Sequence, residues 1–403
     1  MVQSEDAENT ENTLSLRLSI FYGALFLGLG VYLPFFPVWL RAQGLDAGEI
    51  SVVLACQMAV RIGSGPWFSF LADRTQSRRG LLIALSAAAL ASLCLLAVVE
   101  GFVAIVIVAT VASAVWTPIL PLIETLTVAE SEAGRADYGR TRLWGSLTFI
   151  LGSIGGGYVL KSADPGSVLW MLVGSYALMT AASLALPGDT RSAAPGAGTA
   201  KGRIRFANVL PVVGNPLFLT FLGAASLIQA SHAFYYGFGT LHWQSLGIDD
   251  GVIGALWSLG VIAEVILFMV SRRAVTAIGP VGLIVAGGLG ALVRWTLTAF
   301  DPGVEWLFVI QAGHGLTFGA AHLGAMHFIA RAAPADYHAT AQGVYGAFSG
   351  GIVMAVVMAA SGTLYAQYGG HGYLVMAVFG ALGAILGAVL LRRWNGGRLV
   401  TSA

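Results

Sequence analysis

Apolar residues along this chain run in long blocks, broken by short polar stretches, with no alternation of the kind that marks a half-buried strand. A helix that crosses the hydrocarbon core of a bilayer needs about 20 mostly apolar residues. Twelve segments qualify, at roughly 15–40, 47–72, 80–99, 102–128, 140–160, 167–187, 214–240, 251–271, 279–300, 304–330, 339–364 and 372–391. Most connections are short. The exception is 188–210, rich in Gly, Ala and basic residues, which divides the segments six and six. The pattern predicts an all-α integral membrane fold of twelve transmembrane helices in two pseudo-symmetric six-helix bundles. Residues 14–187 and 211–392 form the bundles and 188–210 a cytoplasmic linker. Residues 1–13 and 393–403 read as cytoplasmic tails, the first of them disordered, acidic and lacking the basic start of a secretory signal.

Basic residues fix the expected orientation, because cytoplasmic loops carry the excess of Lys and Arg. With the N-terminus inside, sixteen of the 21 basic residues fall on the cytoplasmic side. Only Arg41 and Lys161 fall outside, and Arg61, Arg142 and Arg294 lie within helices. Both termini are therefore expected in the cytoplasm. Composition agrees: 57% of residues are hydrophobic and 10% charged, against about 45–50% and 25% in a soluble domain. A net charge of +1 supplies no basic field for nucleic acid. The two cysteines, Cys56 and Cys94, sit in apolar runs and make no disulfide framework.

An internal repeat supports the two-bundle reading. GLDAGEI (44–50) matches GIDDGVI (247–253) at an offset of 203, each joining the first two helices of its half. The same offset carries Arg61 onto Glu264. Two repeated bundles suit a substrate site near the bilayer midplane.

Candidate chemistry rests on charges that lipid disfavours. An ionisable group at the bilayer centre costs about 2.5–3.5 kcal/mol on insertion scales, and faces the bundle interior. Arg61, Glu124, Arg142, Glu264 and Arg294 are such groups, accompanied by His232, His314, His322 and His327. They either lock helices together or form a path for substrate and proton, and as a set they favour the path. Glu124 and Arg142 each stand nine residues from Ala133 on consecutive antiparallel helices, so they share a depth and can meet. Pro118 and Pro121 are expected to bend the helix before Glu124. Glu264, Arg294 and His314 lie on helices 8, 9 and 10 as a candidate protonation centre. Trp144 and Tyr236 join the candidate substrate-binding set with Glu124, Arg142 and His314. His322 and His327 share no helix face and bring no carboxylate, so no metal site and no cofactor are expected. Three cations against two anions leave one cation for a substrate carboxylate; Arg142 is the first choice and Arg294 the second. The roles of Arg61, His322 and His327 stay open.

Motifs add a resemblance. LADRTQSRRG (71–80) resembles, in degenerate form, the loop signature of the major facilitator superfamily, with Ser69 where its first glycine is usual. DYGRTRLWGS (137–146), YYGFGTLHWQ (235–244), LWSLGVIAEVILF (256–268), VRW (293–295) and HGLTFGAAHLGAMHFIA (314–330) resemble the 3-phenylpropionate transporter branch, related to lactose permease, over about 14–392. The resemblance implies a proton symporter. Glu124 and Arg142 match its substrate-binding Glu and Arg; Glu264, Arg294 and His314 match its binding and proton-coupling Glu, Arg and His. The proton-carrying Glu one turn after that His is Thr317 here, which shifts the expected proton carrier to Glu264. The implied function is proton-coupled symport of a small aromatic carboxylate, with the proton, the substrate and the lipid bilayer as partners and a monomer as the working unit. Alternatives are a sugar or nucleoside symporter of the same design and a non-transporting membrane sensor or assembly factor. An enzyme is not expected, since no HExxH, GxSxG or phosphate-cradling glycine motif occurs.

Overall fold

The computed structural model describes residues 2–75, 77–188, 211–334 and 337–399; the expected linker 188–210 lies, but for its first residue, outside them. Every regular element among the described residues is a helix. In order these are α1 (Val2–Ala42), α2 (Ala47–Thr75), α3 (Arg78–Leu96), α4 (Phe102–Trp116), α5 (Ile119–Glu132), α6 (Tyr138–Leu160) and α7 (Ser167–Leu184). There follow α8 (Pro216–Ala230), α9 (Ala233–Ser245), α10 (Asp250–Met269), α11 (Ser271–Thr298) and α12 (Val304–Ala312). After a π-helical turn, Gly315–Ala320, come α13 (Ala321–Ala332) and α14 (His338–Gly346). A second π-helical stretch, Ala347–Val353, leads to α15 (Met354–Tyr368), and a 3₁₀ turn, Gly369–Gly372, to α16 (Tyr373–Arg393). α1 starts at Val2, inside the stretch expected to be a disordered tail.

Nine helical stretches among the described residues are long and apolar enough to cross a membrane. The last, His338–Arg393, covers two of the expected segments. α2 falls short because Gln57, Arg61 and a Gly/Ser/Pro-rich turn dilute it, and 304–330 because Gln311, His314 and His322 do. Large apolar side chains point outward on many helices: Trp67, Val103, Trp170, Trp306 and Met269 are all well exposed. Only an apolar solvent makes such a surface stable.

Breaks in the helices have visible causes. Pro118 begins α5, where a proline costs no needed N–H. Gly279 takes φ 70° before Pro280 in α11, a backbone setting that favours glycine. The repeated heptapeptides are helix starts of one design. Gly44 (φ 82°) and Gly247 (φ 76°) both turn left-handed. Two residues later Asp46 Oδ1 accepts from Glu49 N–H (2.8 Å), and Asp249 Oδ1 from Gly251 N–H (2.9 Å). Glu49 Oε2 accepts from Asp46 N–H in return (3.0 Å), closing a capping box.

The helices divide into two compact units. The first holds the described residues of Met1–Ser192 with Trp243–Ser258; the second those of Ala193–His242 and Leu259–Ala403. In the first, α1 packs on α6 and α7, and α4 on α2 and α3. Glycine makes the closest of these approaches possible: a Cβ on Gly30 would strike the Phe149 carbonyl, and one on Gly152 the Leu27 carbonyl. Ser153 Oγ donates to the Gly30 carbonyl (2.9 Å) across the same seam. α10 begins in this unit, where Lys161 pairs with Asp249 (2.9 Å). That hydrogen bond holds the Asp249 carboxyl below the ordinary range and the Lys161 ammonium above it. In the second unit α16 packs on α11 and α8, with Gly288 against the Ala384 backbone and Gly380 against Leu292 N. An aromatic core, Phe221 stacked on Phe328 (4.4 Å) with Tyr345 alongside, fills the far end. Small residues drive such packing because lipid gives apolar side chains no reason to leave it. Gly30→Val should force α1 and α6 apart, at about 1–3 kcal/mol for the overpacking. A clear drop in the melting temperature of the purified protein is the expected reading, and an unchanged one would show that the seam can yield.

Candidate substrate and proton site

The sequence-predicted residues gather into two clusters, one in each unit. In the first, α5 carries Glu124 and α6 carries Arg142, and the hairpin between them does bring the two together: Arg142 Nε lies 3.6 Å from Glu124 Oε1. Both side chains remain about a third exposed. Asp137 begins α6 by accepting from Arg140 N–H (2.9 Å), which sets the register that aims Arg142 at α5. The guanidinium lies over the Phe26 ring, 4.3 Å from its centroid, a geometry that attracts cations. Gly145 makes room, since a Cβ there would stand 2.9 Å from Phe26 and 3.0 Å from Arg142 Nη1. Arg142 is therefore a cation with a fixed partner, which corrects the expectation that it is the free one. Trp144 is not part of this cluster. Two residues on from Arg142, it points about 200° round the helix and is half exposed.

The second unit holds the denser arrangement. His314 Nε2 is 2.8 Å from Glu264 Oε1. On the other side of the ring, Arg294 Nη1 is 3.0 Å from His314 Nδ1. A guanidinium only donates, so Nδ1 accepts and the ring's proton sits on Nε2, donated to Glu264. An acid is thus joined through a neutral imidazole to a buried cation. Arg294 is 3% exposed and uses both terminal nitrogens, while its Nε is buried without a hydrogen-bond partner. Nη1 also donates to Thr317 Oγ1 (3.0 Å), and Nη2 donates to Gln311 Oε1. Its guanidinium carbon lies 4.3 Å from the Trp295 ring centroid and 5.3 Å from that of Tyr235. Gln311 Nε2 in turn donates to Tyr235 Oη (3.3 Å). His232 Nδ1 faces the carbonyls of Ile228 and Gln229, so it carries the proton, and Nε2 accepts from the Thr317 hydroxyl (3.0 Å). Tyr236 stands beside His232 and Tyr235, with ring centroids 5.9 and 5.6 Å away.

Glycines again set the distances. Gly260 of α10 faces the His314 ring, Gly315 faces the Ala263 carbonyl, and Gly319 faces Glu264. The π-helical turn begins directly after His314, as such turns often do at functional sites. Thr317, where a second carboxylate would complete the lactose-permease pattern, instead bridges Arg294 and His232. Gln311 did not enter the sequence candidates, and His232 entered only as an accompanying histidine. Spacing held a signal, because Gln311, His314 and Thr317 fall at i, i+3 and i+6, a polar stripe on one face of an apolar helix. No group of three metal-ligating side chains occurs among the described residues.

Comparison with known proteins gives this geometry a context. A family model described as the MFS_1 like family matches residues 15–376. The chain is 31% identical over 376 residues to a protein of Escherichia coli (strain K12) described as a probable 3-phenylpropionic acid transporter, covering 90% of this chain and 94% of that one. It is 25% identical over 382 residues to the maltose permease of Geobacillus stearothermophilus, covering 93% and 94%. Among solved structures, the nucleoside transporter NupG superposes with TM-score 0.83 at 17% identity, over 94% of this chain and all of that one (100%). A bacterial homologue of the human lysosomal transporter Spinster gives 0.74 at 12% identity, over 96% and 99%. With its helical membrane fold, its intramembrane ion clusters and these matches, the chain belongs to the MFS_1-like family, as a multi-pass secondary transporter and not an enzyme.

Proposed function

We propose that the protein is a proton-coupled symporter for a small aromatic monocarboxylate such as 3-phenylpropionate. It works by alternating access in a bacterial inner membrane, as a monomer with both termini cytoplasmic. The observation that carries this reading is the Glu264–His314–Arg294 chain. Glu264 can gain or lose a proton while His314 and Arg294 keep their other partners, which is what a coupling group needs. Glu124 and Arg142, half open and already matched in charge, suit the polar part of a cargo. The E. coli relative's description supports the carboxylate class. One proton entering with one carboxylate moves no net charge. In proteoliposomes an inward proton gradient should therefore accumulate labelled 3-phenylpropionate, whereas a membrane potential alone should not. Accumulation driven by potential alone would refute electroneutral symport. A second reading, a sugar or nucleoside symporter, draws on the descriptions of the maltose permease and NupG. Uptake of a glycoside or nucleoside that 3-phenylpropionate does not compete with would favour it.

A further inference from the structure

A coupling acid must pass its proton on, and the two histidines closest to the ion centre cannot take it. His314 Nε2 already gives its hydrogen to Glu264, and Nδ1 is met by an Arg294 N–H. A second proton on Nδ1 would stand against that N–H with no acceptor to point at. His232 is closed in the same way. Its Nδ1–H is held by the Ile228 and Gln229 carbonyls and its Nε2 by the Thr317 hydroxyl.

Another imidazole shares the face of His314. His322 lies on α13, eight residues further on. Phe318 stacks on both, its ring centroid 5.4 Å from His314 at 14° and 6.1 Å from His322 at 10°. Three near-parallel rings in a row put His322 on the His314 side of the helix. A straight α-helix sets residues eight apart about 80° out of line. The wider π-helical turn, Gly315–Ala320, takes up that angle. His327, five residues beyond His322, is turned about 140° away.

The surroundings of His322 suit proton exchange. Gly319, one turn before it, faces Glu264, since a Cβ there would stand 3.6 Å from Glu264 Cγ. Glu264 of α10 is also the charged group whose field reaches His322. Arg294 of α11 is turned to His314, Thr317 and Gln311, and His232, in the turn between α8 and α9, packs edge-on against Phe318 (6.0 Å). The His322 ring is part-exposed and makes no hydrogen bond or ion pair among the described residues. One nitrogen is thus open to take a proton while the other gives one, which a relay needs and which His314 and His232 lack. Imidazole is the side chain that exchanges protons most readily near neutral pH. α13 runs on from His322 to Arg331 in its last turn, the end where basic residues mark the cytoplasmic side.

We propose that His322 is the proton relay between Glu264 and water at the end of α13 that carries Arg331. The proposal deepens the symport reading and rests on it. On release, the Glu264 O–H bond breaks and a His322 ring nitrogen forms the new N–H bond. The other ring nitrogen then gives its hydrogen to water, leaving Glu264 ionised and the ring neutral. Uptake from that side runs the same steps in reverse.

Time-resolved infrared spectroscopy of the purified full chain, after light-triggered release of caged protons, tests this without any cargo. Starting from a pH at which Glu264 is ionised, wild type should gain a carboxylic C=O band that Glu264→Gln lacks. In His322→Gln, which cannot titrate, that band should rise at least about tenfold more slowly, as expected when a positioned proton-transfer group is lost. His322→Asn carries the test should His322→Gln not fold. His322→Glu, which can take and give a proton, should recover most of the rate. A band that rises as fast in His322→Gln as in wild type overturns the relay and leaves Glu264 its role. A rise as slow in His322→Glu as in His322→Gln also overturns it, since the ring then matters only for packing. A wild type with no band that Glu264→Gln removes takes Glu264 out of the proton path, and the symport reading falls together with the relay.

Discussion

Glu264→Gln is expected to abolish uphill uptake while sparing exchange of substrate across the membrane. The amide has the shape of the acid and still offers an oxygen to His314 Nε2–H, so the bond now 2.8 Å long survives. What it cannot do is titrate. A symporter whose coupling group is permanently neutral has only the loaded cycle open to it, so it equilibrates labelled for unlabelled cargo and stores nothing. Uptake against a gradient should fall to background, and counterflow should persist at a rate comparable to wild type. The same variant should lose the dependence of counterflow on external pH. If Glu264→Gln still concentrates substrate under a proton gradient, Glu264 is not the coupling group, and His314 becomes the group to replace next.

Much of this arrangement was legible in the residues because lipid makes charge conspicuous. Arg142 and Glu124 could be paired from arithmetic alone, since equal distance from a turn means equal depth on antiparallel helices. Glu264, Arg294 and His314 stood out as polar residues in apolar runs. Their connection order did not, because which ring nitrogen faces which partner depends on the rotation of three helices. Neutral hydrogen-bonding residues were harder still. Gln311, Tyr235 and Thr317 have side chains that apolar helices tolerate in many roles, and only the i, i+3, i+6 stripe distinguishes two of them. His322 shows the limit most clearly. Its imidazole was visible, but its alignment with His314 is a fact about the helix between them, which the π-helical turn widens. Fold-level features divide along the same line. The twelve apolar segments follow from length and composition. The π-helical turn after His314 does not, since Gly315 and Gly319 permit it but are equally at home in a straight, closely packed helix.

Arg294 is the residue whose loss should cost the second unit most. Its guanidinium is buried, lies across Trp295, and satisfies His314, Thr317 and Gln311 at once. Arg294→Met removes the cation and strands three acceptors, and it leaves an ionised Glu264 facing only a neutral imidazole. Breaking a buried charge arrangement from one side costs about 3–5 kcal/mol, which should be plain as a large fall in melting temperature. Arg294→Lys keeps the charge but has no planar fork. One ammonium cannot replace the two-nitrogen grip on Gln311 and His314, so part of the loss should remain. The decisive variant is the double, Glu264→Gln with Arg294→Met. With acid and base both neutral, no uncompensated charge is left, and the pair should be less destabilised than the two single losses added together. Groups in one network show coupling of about 0.5–3 kcal/mol in such cycles. Strict additivity would mean that His314 does not link Glu264 to Arg294, and the proton centre would then reduce to a carboxylate and an unrelated structural cation.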